Sequence, residues 1–102
     1  MVKESKVTLI MQRLLYDTIL KCETVEDLDM LFEDLCTYKE IEQMAQRVMA
    51  AQMLKDGKTY AEIIEKTDIS SATLSRVSRC VQRGSGGYQT FLSESEYLDS
   101  KE

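Results

Sequence analysis

Residues 57–83 read GKTYAEIIEKTDISSATLSRVSRCVQR, and this stretch contains the clearest indication of the architecture. Gly57 stops the helix that precedes it, and Thr59 with Glu62 three residues later forms a capping box that begins a short new helix. A turn-prone segment, Asp68-Ile69-Ser70, follows, and its serine is suited to be the N-cap of the next helix. Two short helices joined by a tight turn form the pattern of a helix-turn-helix.

The second of these helices has one anchoring face and one polar face. At about 100° per residue, Leu74, Val77 and Val81 share one side with Ser78, and we expect this side to hold the helix against the domain. The opposite side combines small residues, which allow close approach to a groove, with hydroxyls and arginines, which bond to bases and phosphates. The predicted DNA-contacting residues are Ser71, Ala72, Thr73, Ser75, Arg76, Arg79 and Arg83, with Lys58 and Thr59 contacting the DNA backbone.

The charge of the chain is unevenly distributed. Its formal net charge is −5, an unfavourable total for a protein that binds DNA. Residues 1–38 carry four basic and eight acidic groups, residues 39–83 carry eight and six, and residues 84–102 carry one and four. Residues 69–83 contain three arginines and no acid. Because charges beyond a Debye length of about 8–10 Å are largely screened, this local positive charge governs the attraction of phosphates.

Apolar spacing predicts two helices before residue 37, and the chain has no proline to interrupt them. The first is expected to end near Cys22, and its apolar stripe comprises Val7, Ile10, Met11, Leu14, Leu15, Ile19 and Leu20. Thr24 and Asp27 resemble a capping signal for the second helix. One face of that helix is lined by Val25, Leu28, Phe32 and Leu35.

A third helix is predicted from about Tyr38 to Asp56, begun by a capping box of Thr37 and Glu40. Its inner stripe is predicted to be Ile41, Met44, Ala45 and Val48. From residue 48 to residue 54 the helix is apolar nearly all round, which predicts a central helix covered on several sides. After a Gly-rich hinge at residues 84–87, a last short helix is predicted from Tyr88, Phe91, Leu92 and Leu98, followed by an acidic tail from Asp99.

The composition excludes several classes of protein. There is no histidine, so the usual general base is absent, and the three cysteines at 22, 36 and 80 have no familiar zinc spacing. Without a Gly-rich phosphate loop or a nucleophile elbow, we predict no catalytic residue, no metal site and no enzyme. No apolar run is long enough for a membrane span or a secretory signal, and three scattered cysteines are typical of reduced thiols, which predicts a cytoplasmic protein.

Several motifs, in order and at the right spacing, resemble the small bacterial Trp repressor-like proteins. They are Asp34-Leu35-Cys36-Thr37, Glu40-Ile41, Ala45-Gln46-Arg47, Gly57-Lys58-Thr59-Tyr60, Ala72-Thr73-Leu74-Ser75-Arg76-Val77 and Arg79-Cys80. The resemblance covers roughly residues 9–88. It implies an all-α, six-helix intertwined homodimer that places its two recognition helices in successive major grooves, about 34–36 Å apart.

With this resemblance, residues 1–102 are interpreted as a single domain. Residues 1–56 form the dimerisation helices, residues 57–83 the helix-turn-helix, residues 84–87 the hinge, and residues 88–102 the C-terminal helix and acidic tail. The predicted function is a homodimeric, sequence-specific regulator of transcription that binds double-stranded DNA, most simply a repressor. The alternative is a protein-interaction module that keeps the helix-turn-helix without reading DNA, its basic helix being only a surface helix.

The resemblance also bears on a small-molecule corepressor such as L-tryptophan. In Trp repressor two arginines sandwich the indole ring, and they align with Arg47 and Arg76, but Val77 stands where that protein has glycine. A branched side chain is expected to fill the ligand slot, so we favour no cofactor and interpret the two arginines as a structural or phosphate-binding pair. Asp68 and Ala61 are further departures, replacing a turn glycine and a DNA-contacting arginine.

Overall fold

The computed structural model describes residues 5–92, and across them the chain is helical with no strand. Six helices follow one another: α1 Lys6–Leu20, α2 Val25–Leu35, α3 Tyr38–Lys55, α4 Tyr60–Thr67, α5 Ser71–Arg83 and α6 Gly87–Phe91. The all-α prediction with six helices is confirmed, and the boundaries of α1 to α5 lie within about two residues of their predictions. Helix α6 ends at Phe91, earlier than predicted, and Leu92 after it is extended. Leu98 and the acidic tail from Asp99 lie outside the described residues.

The chain divides into two compact units between Lys39 and Glu40. The first unit holds α1 and α2, and the second holds nearly all of α3 together with α4, α5 and α6. The interpretation of residues 1–102 as a single domain stays a prediction.

Side chains cap the N-termini of α1, α2, α4 and α5 and bond to the first backbone N–H groups, which have no partner inside the helix. The hydroxyl of Ser5 accepts from the N–H of Thr8 at the start of α1. At α2, Thr24 accepts from the N–H of Asp27 at 3.0 Å, as predicted, while the Asp27 carboxylate accepts from the N–H of Glu23 at 2.9 Å. The capping box of Thr59 and Glu62 and the N-cap at residue 70 are likewise confirmed.

Two residues in the left-handed region shape the helix-turn-helix. Gly57, two residues beyond the end of α3, has φ 83°, as expected of a glycine that stops the preceding helix. Asp68 has φ 63° and ψ 20° and caps the C-terminus of α4, where its N–H donates to the carbonyl of Ile64 at 2.8 Å. Aspartate tolerates this conformation better than most residues but at some cost. The turn therefore keeps its form without a glycine.

Replacing Asp68 with glycine is expected to raise the free energy of unfolding by about 0.5–1 kcal/mol, because glycine has no Cβ to oppose a positive φ. Urea unfolding at matched protein concentration measures the change. Asp68→Ala is the control, since it removes the carboxylate but keeps a Cβ, and it is expected to lower stability. An alanine variant more stable than the glycine variant would show that the left-handed backbone carries no cost here.

The core of the second unit lies where α3, α4 and α5 pack together. Its buried apolar residues are Ala50, Ala51, Met53, Ile63, Ile69, Leu74 and Val77. Met49, Leu54 and Val81 are partly buried against them, with Tyr88 and Leu92 from the C-terminal part. The small side chains at residues 50 and 51 allow the helices to approach closely, which explains why the C-terminal part of α3, residues 50–53, is its most completely buried segment.

The predicted inner stripe of α3 is only partly correct. Ala45 is exposed and Val48 is 49% exposed, while Ile41 and Met44 are half-buried. Packing of the second unit instead covers the side of α3 that carries Ala50 and Met53. For Ala45 and Val48 the prediction is not met within the single chain, because α3 has apolar residues on more than one side and spacing alone did not identify the side that its own chain covers.

The first unit has no buried residue in either of its helices. The stripe predicted for α1 has the expected helical spacing, yet Val7, Ile10 and Leu14 are each more than 60% exposed. On α2, Val25 is 76% exposed and Leu35 49%. Large apolar side chains left exposed in this number are characteristic of an interaction site.

Hydrogen bonds fix the C-terminal part of the second unit. The side-chain amide of Gln89 donates to the carbonyl of Val81 at 2.9 Å, and the Lys55 ammonium donates to the carbonyl of Leu92 at 3.3 Å. Gly84 lies so close to α5 that a Cβ there would collide with the carbonyl oxygen of Cys80. The glycine-rich segment therefore includes a position that requires glycine for close packing, and its motion as a hinge stays a prediction.

Candidate nucleic-acid interface

Helix α5 separates its faces as the sequence predicts. Leu74, Val77 and Ser78 are buried, and Val81 is half-buried against the core. On the outer side, Thr73 and Ser75 are half-buried, and the exposed residues are Ser71, Ala72, Arg76, Arg79 and Arg83. The residues predicted to contact DNA on α5 are thus accessible, fully or in part. Their roles in binding stay predictions.

The three exposed arginines of α5, Arg76, Arg79 and Arg83, are called the arginine face below. Among residues 5–92, none of them forms an ion pair with a carboxylate, so their charges are not neutralised within the described chain. The first turn of α5 contains no acid either. Since a helix N-terminus carries a partial positive charge, both this end and the arginine face favour an anionic surface such as DNA.

The N-terminus of α5 is organised by a pair of hydroxyls. The Oγ of Ser70 accepts from the N–H of Thr73 at 3.1 Å and donates to the Oγ1 of Thr73 at 2.9 Å. In this arrangement the Thr73 hydroxyl is the acceptor, so the hydrogen of the Thr73 hydroxyl can donate to another group. A donor of this kind suits a phosphate oxygen or an acceptor on a base edge.

At the start of α4, the hydrogen-bond donors of Thr59 are used to cap the helix. Its N–H donates to Oε1 of Glu62 at 2.8 Å, its hydroxyl lies 3.2 Å from the same oxygen, and the hydroxyl accepts from the Glu62 N–H at 3.2 Å. Lys58 beside it is exposed. Of the two residues predicted to contact the DNA backbone here, only the lysine has an uncommitted donor group.

The capping box lowers the pKa of Glu62. The largest cause is the hydrogen bond from the Thr59 backbone N–H, followed by the Thr59 hydroxyl, and the nearby charge of Lys58 acts in the same direction. Each of these interactions favours the carboxylate over the neutral acid. The ionised Glu62 therefore stabilises the start of α4.

The stability that Glu62 adds is expected to depend on pH. Because the folded pKa is depressed, the contribution is present above the unfolded value of about 4.3 and is lost as pH falls through the folded pKa. Glu62→Gln keeps an oxygen acceptor but does not titrate. Urea unfolding should find the wild type more stable than this variant near neutral pH, with the difference disappearing in acid; a difference independent of pH would contradict the expectation.

The turn between α4 and α5 is connected to α3 by a residue that the sequence did not identify as functional. The side-chain amide of Gln46 donates to the carbonyl of Thr67 at 3.1 Å in a partly buried position. Its neighbour Arg47 is exposed. Nothing in the sequence indicates such a bond, because its acceptor is a backbone carbonyl 21 residues away, which every residue type provides.

The family model for the Trp repressor protein matches residues 11–96 of the chain. That range includes both helices of the helix-turn-helix and every candidate DNA-contacting residue. The chain belongs to the Trp repressor family.

Individual relatives agree with this assignment. The YerC protein of Bacillus subtilis (strain 168) is 42% identical over 78 residues, which cover 76% of this chain and 75% of YerC. A crystal structure of a candidate Trp repressor from Staphylococcus aureus has a TM-score of 0.76 and 35% identity, covering 96% of this chain and 95% of that one. A TrpR-like protein from Eubacterium eligens ATCC 27750 has a TM-score of 0.75 and 36% identity, with 84% of each chain covered.

Membership of the Trp repressor family establishes the general function. The chain is a helix-turn-helix DNA-binding regulator, and the prediction that it is not an enzyme is confirmed by the family. The predicted Trp repressor-type fold is likewise confirmed by the two crystal structures. Within residues 5–92, each helix is too short or too polar to traverse a bilayer.

Proposed function

We propose that the protein is a homodimeric repressor of transcription that binds a specific double-stranded DNA sequence. Each subunit places α5 in the major groove, with the arginine face and the N-terminal residues Ser71 to Ser75 towards the bases and phosphates. The two copies of α5 occupy successive major grooves, about 34–36 Å apart, as two-fold symmetric helix-turn-helix proteins do. We propose a cytoplasmic location, where DNA is accessible and the three free cysteines remain reduced.

The observation that carries the proposal is the accessibility and charge of α5. Its exposed side has three arginines and no acid, and its buried side is anchored by Leu74 and Val77. A fixed helix that exposes unpaired arginines next to small side chains suits close contact with a negatively charged groove. The excess of acidic over basic groups outside residues 39–83 limits non-specific attraction to nucleic acid.

The homodimer is supported by the apolar residues that the single chain leaves exposed. On α1 these include Ile10 and Leu14, on α2 they include Val25, and on α3 they include Val48. Burial of one such side chain contributes about 1.5–3 kcal/mol, so helices without a buried residue gain most of their stability from an additional covering surface. A second copy of the chain supplies that surface and also gives the two-fold symmetry that paired half-sites require.

We propose that DNA binding needs no tryptophan corepressor. Val77, which stands where Trp repressor has glycine, is only 2% exposed and is packed in the core, where it adds a branched side chain that glycine lacks. Arg47 and Arg76 are both exposed, which suits a structural or phosphate-binding role. The protein is therefore expected to bind its operator in the absence of amino acids.

Selection of bound duplexes from a random library tests the proposal directly. The full chain should enrich a sequence with two-fold symmetry, and enrichment should be the same with and without L-tryptophan. Affinity for the enriched duplex should fall steeply between about 0.05 and 0.2 M salt, because binding releases counterions from the phosphates. Absence of any enriched sequence, together with weak salt dependence, would favour the protein-interaction module instead.

A further inference from the structure

Gln46 lies on α3, outside the helix-turn-helix, yet it contacts the junction between α4 and α5. Its side-chain amide donates to the carbonyl of Thr67, the last residue of α4, at 3.1 Å. The final carbonyls of a helix have no partner inside it and need one from elsewhere. Because the position is partly buried, Gln46 supplies a donor that water reaches poorly.

Thr67 continues the connection towards α5. Its hydroxyl donates to the carbonyl of Ile63 at 2.8 Å and accepts from the N–H of Ile69 at 3.2 Å. Ile69 is 3% exposed and is followed directly by Ser70, the N-cap of α5. A continuous path of hydrogen bonds and covalent bonds therefore runs from α3 through the turn to the first residue of α5.

This path determines where the N-terminus of α5 lies relative to α3. The turn includes only residues 68–70 between the two helices, and Asp68 within it has a left-handed backbone. So short a segment transmits a shift of its first residue to the helix that follows. The core residues Leu74 and Val77 hold the middle of α5, whereas the bond from Gln46 holds the turn at its beginning.

We propose that Gln46 is a positioning residue for DNA recognition. It fixes the position of the N-terminal turn of α5 and thereby the contacts that this turn makes with base edges. The proposal rests on the DNA-binding function given above. Loss of the bond should affect contacts that need an accurate pose more than contacts with the phosphates, because long cationic side chains tolerate small displacements. Sequence discrimination should therefore decrease while general affinity for duplex DNA persists.

The test compares the affinity of the full chain for its selected duplex with its affinity for a scrambled duplex. Gln46→Leu removes the donor at similar size, and Gln46→Asn keeps an amide that is one methylene too short to reach the carbonyl. The matched control is Gln43→Leu, which changes an exposed glutamine one turn earlier on the same helix. Circular dichroism and sedimentation establish that each variant keeps its fold and assembly at the assay temperature.

Both Gln46 variants should lower the ratio of specific to non-specific affinity by about fivefold, the equivalent of about one neutral hydrogen bond. Their salt dependence should stay like that of the wild type, and Gln43→Leu should change neither quantity. A folded Gln46→Leu or Gln46→Asn variant that keeps the full ratio would overturn the proposal and leave DNA binding intact. A wild type without preference for any duplex would overturn both this proposal and the proposed function.

Discussion

Arg79→Ala is expected to weaken binding of the selected duplex by about tenfold to a hundredfold, since a well-placed arginine contact contributes about 1–3 kcal/mol. Arg76→Ala should act in the same direction. Both side chains are exposed on a helix without acids and have no ion-pair partner among the described residues, so neither contributes a salt bridge to the fold. Titration of labelled duplex at fixed salt measures the loss, and thermal unfolding should show little change.

The salt dependence of the same variants distinguishes contacts with phosphates from contacts with bases. Each phosphate contact removed reduces the slope of log affinity against log salt by about 0.9, whereas loss of a base contact leaves the slope nearly unchanged and relaxes the sequence preference. Arg13→Ala is the matched control, because it makes the same change of charge on α1. Its ion pair with Asp17, the one it forms among residues 5–92, is exposed and therefore contributes little to stability. Unchanged affinity in both α5 variants would show that the arginine face does not contact the duplex.

Local rules were sufficient to predict the helices and the architecture of the helix-turn-helix. The capping box at Thr59, the N-cap at Ser70 and the positive φ of Gly57 depend only on residues near one another in the chain. The orientation of α5 was also predictable, because its apolar residues form one narrow stripe. Where the apolar residues of a helix form one stripe, their spacing and the capping residues together determine which side of the helix is buried and where the helix begins.

Longer-range features were not predictable in this way. The apolar residues of α3 extend round most of the helix, and only in the folded structure is it evident that α4 and α5 cover the side that carries Ala50 and Met53. Gln46 was missed because its acceptor is a backbone carbonyl. The sequence also did not show that the N–H and hydroxyl of Thr59 bond to Glu62 and so are not available to DNA. The reason is that a threonine that caps a helix and a threonine that binds phosphate have the same sequence signature.

Introducing glutamate at both Ile10 and Leu14 is expected to abolish the proposed homodimer at micromolar concentration. Both side chains are more than 60% exposed in the single chain, so the introduced carboxylates remain in solvent there and do not disrupt its packing. In a dimer that buries them, loss of about 1.5–3 kcal/mol for each of four side chains weakens association by roughly 10⁴-fold or more. Sedimentation velocity and urea unfolding at several protein concentrations measure the effect.

The consequence for DNA binding follows from symmetry. A dimer contacts two half-sites at once, so the Ile10 and Leu14 double variant should lose most of its affinity for the selected duplex although α5 itself is unaltered. Because intertwined subunits share one core, unfolding of the variant should also begin at lower denaturant concentration. Gln12→Glu is the control for charge, since it adds one glutamate to α1, half the charge of the double variant, beside the apolar stripe rather than on it. A double variant that remains dimeric, or a wild type that is a stably folded monomer, would contradict the assignment of this apolar face to a second copy of the chain.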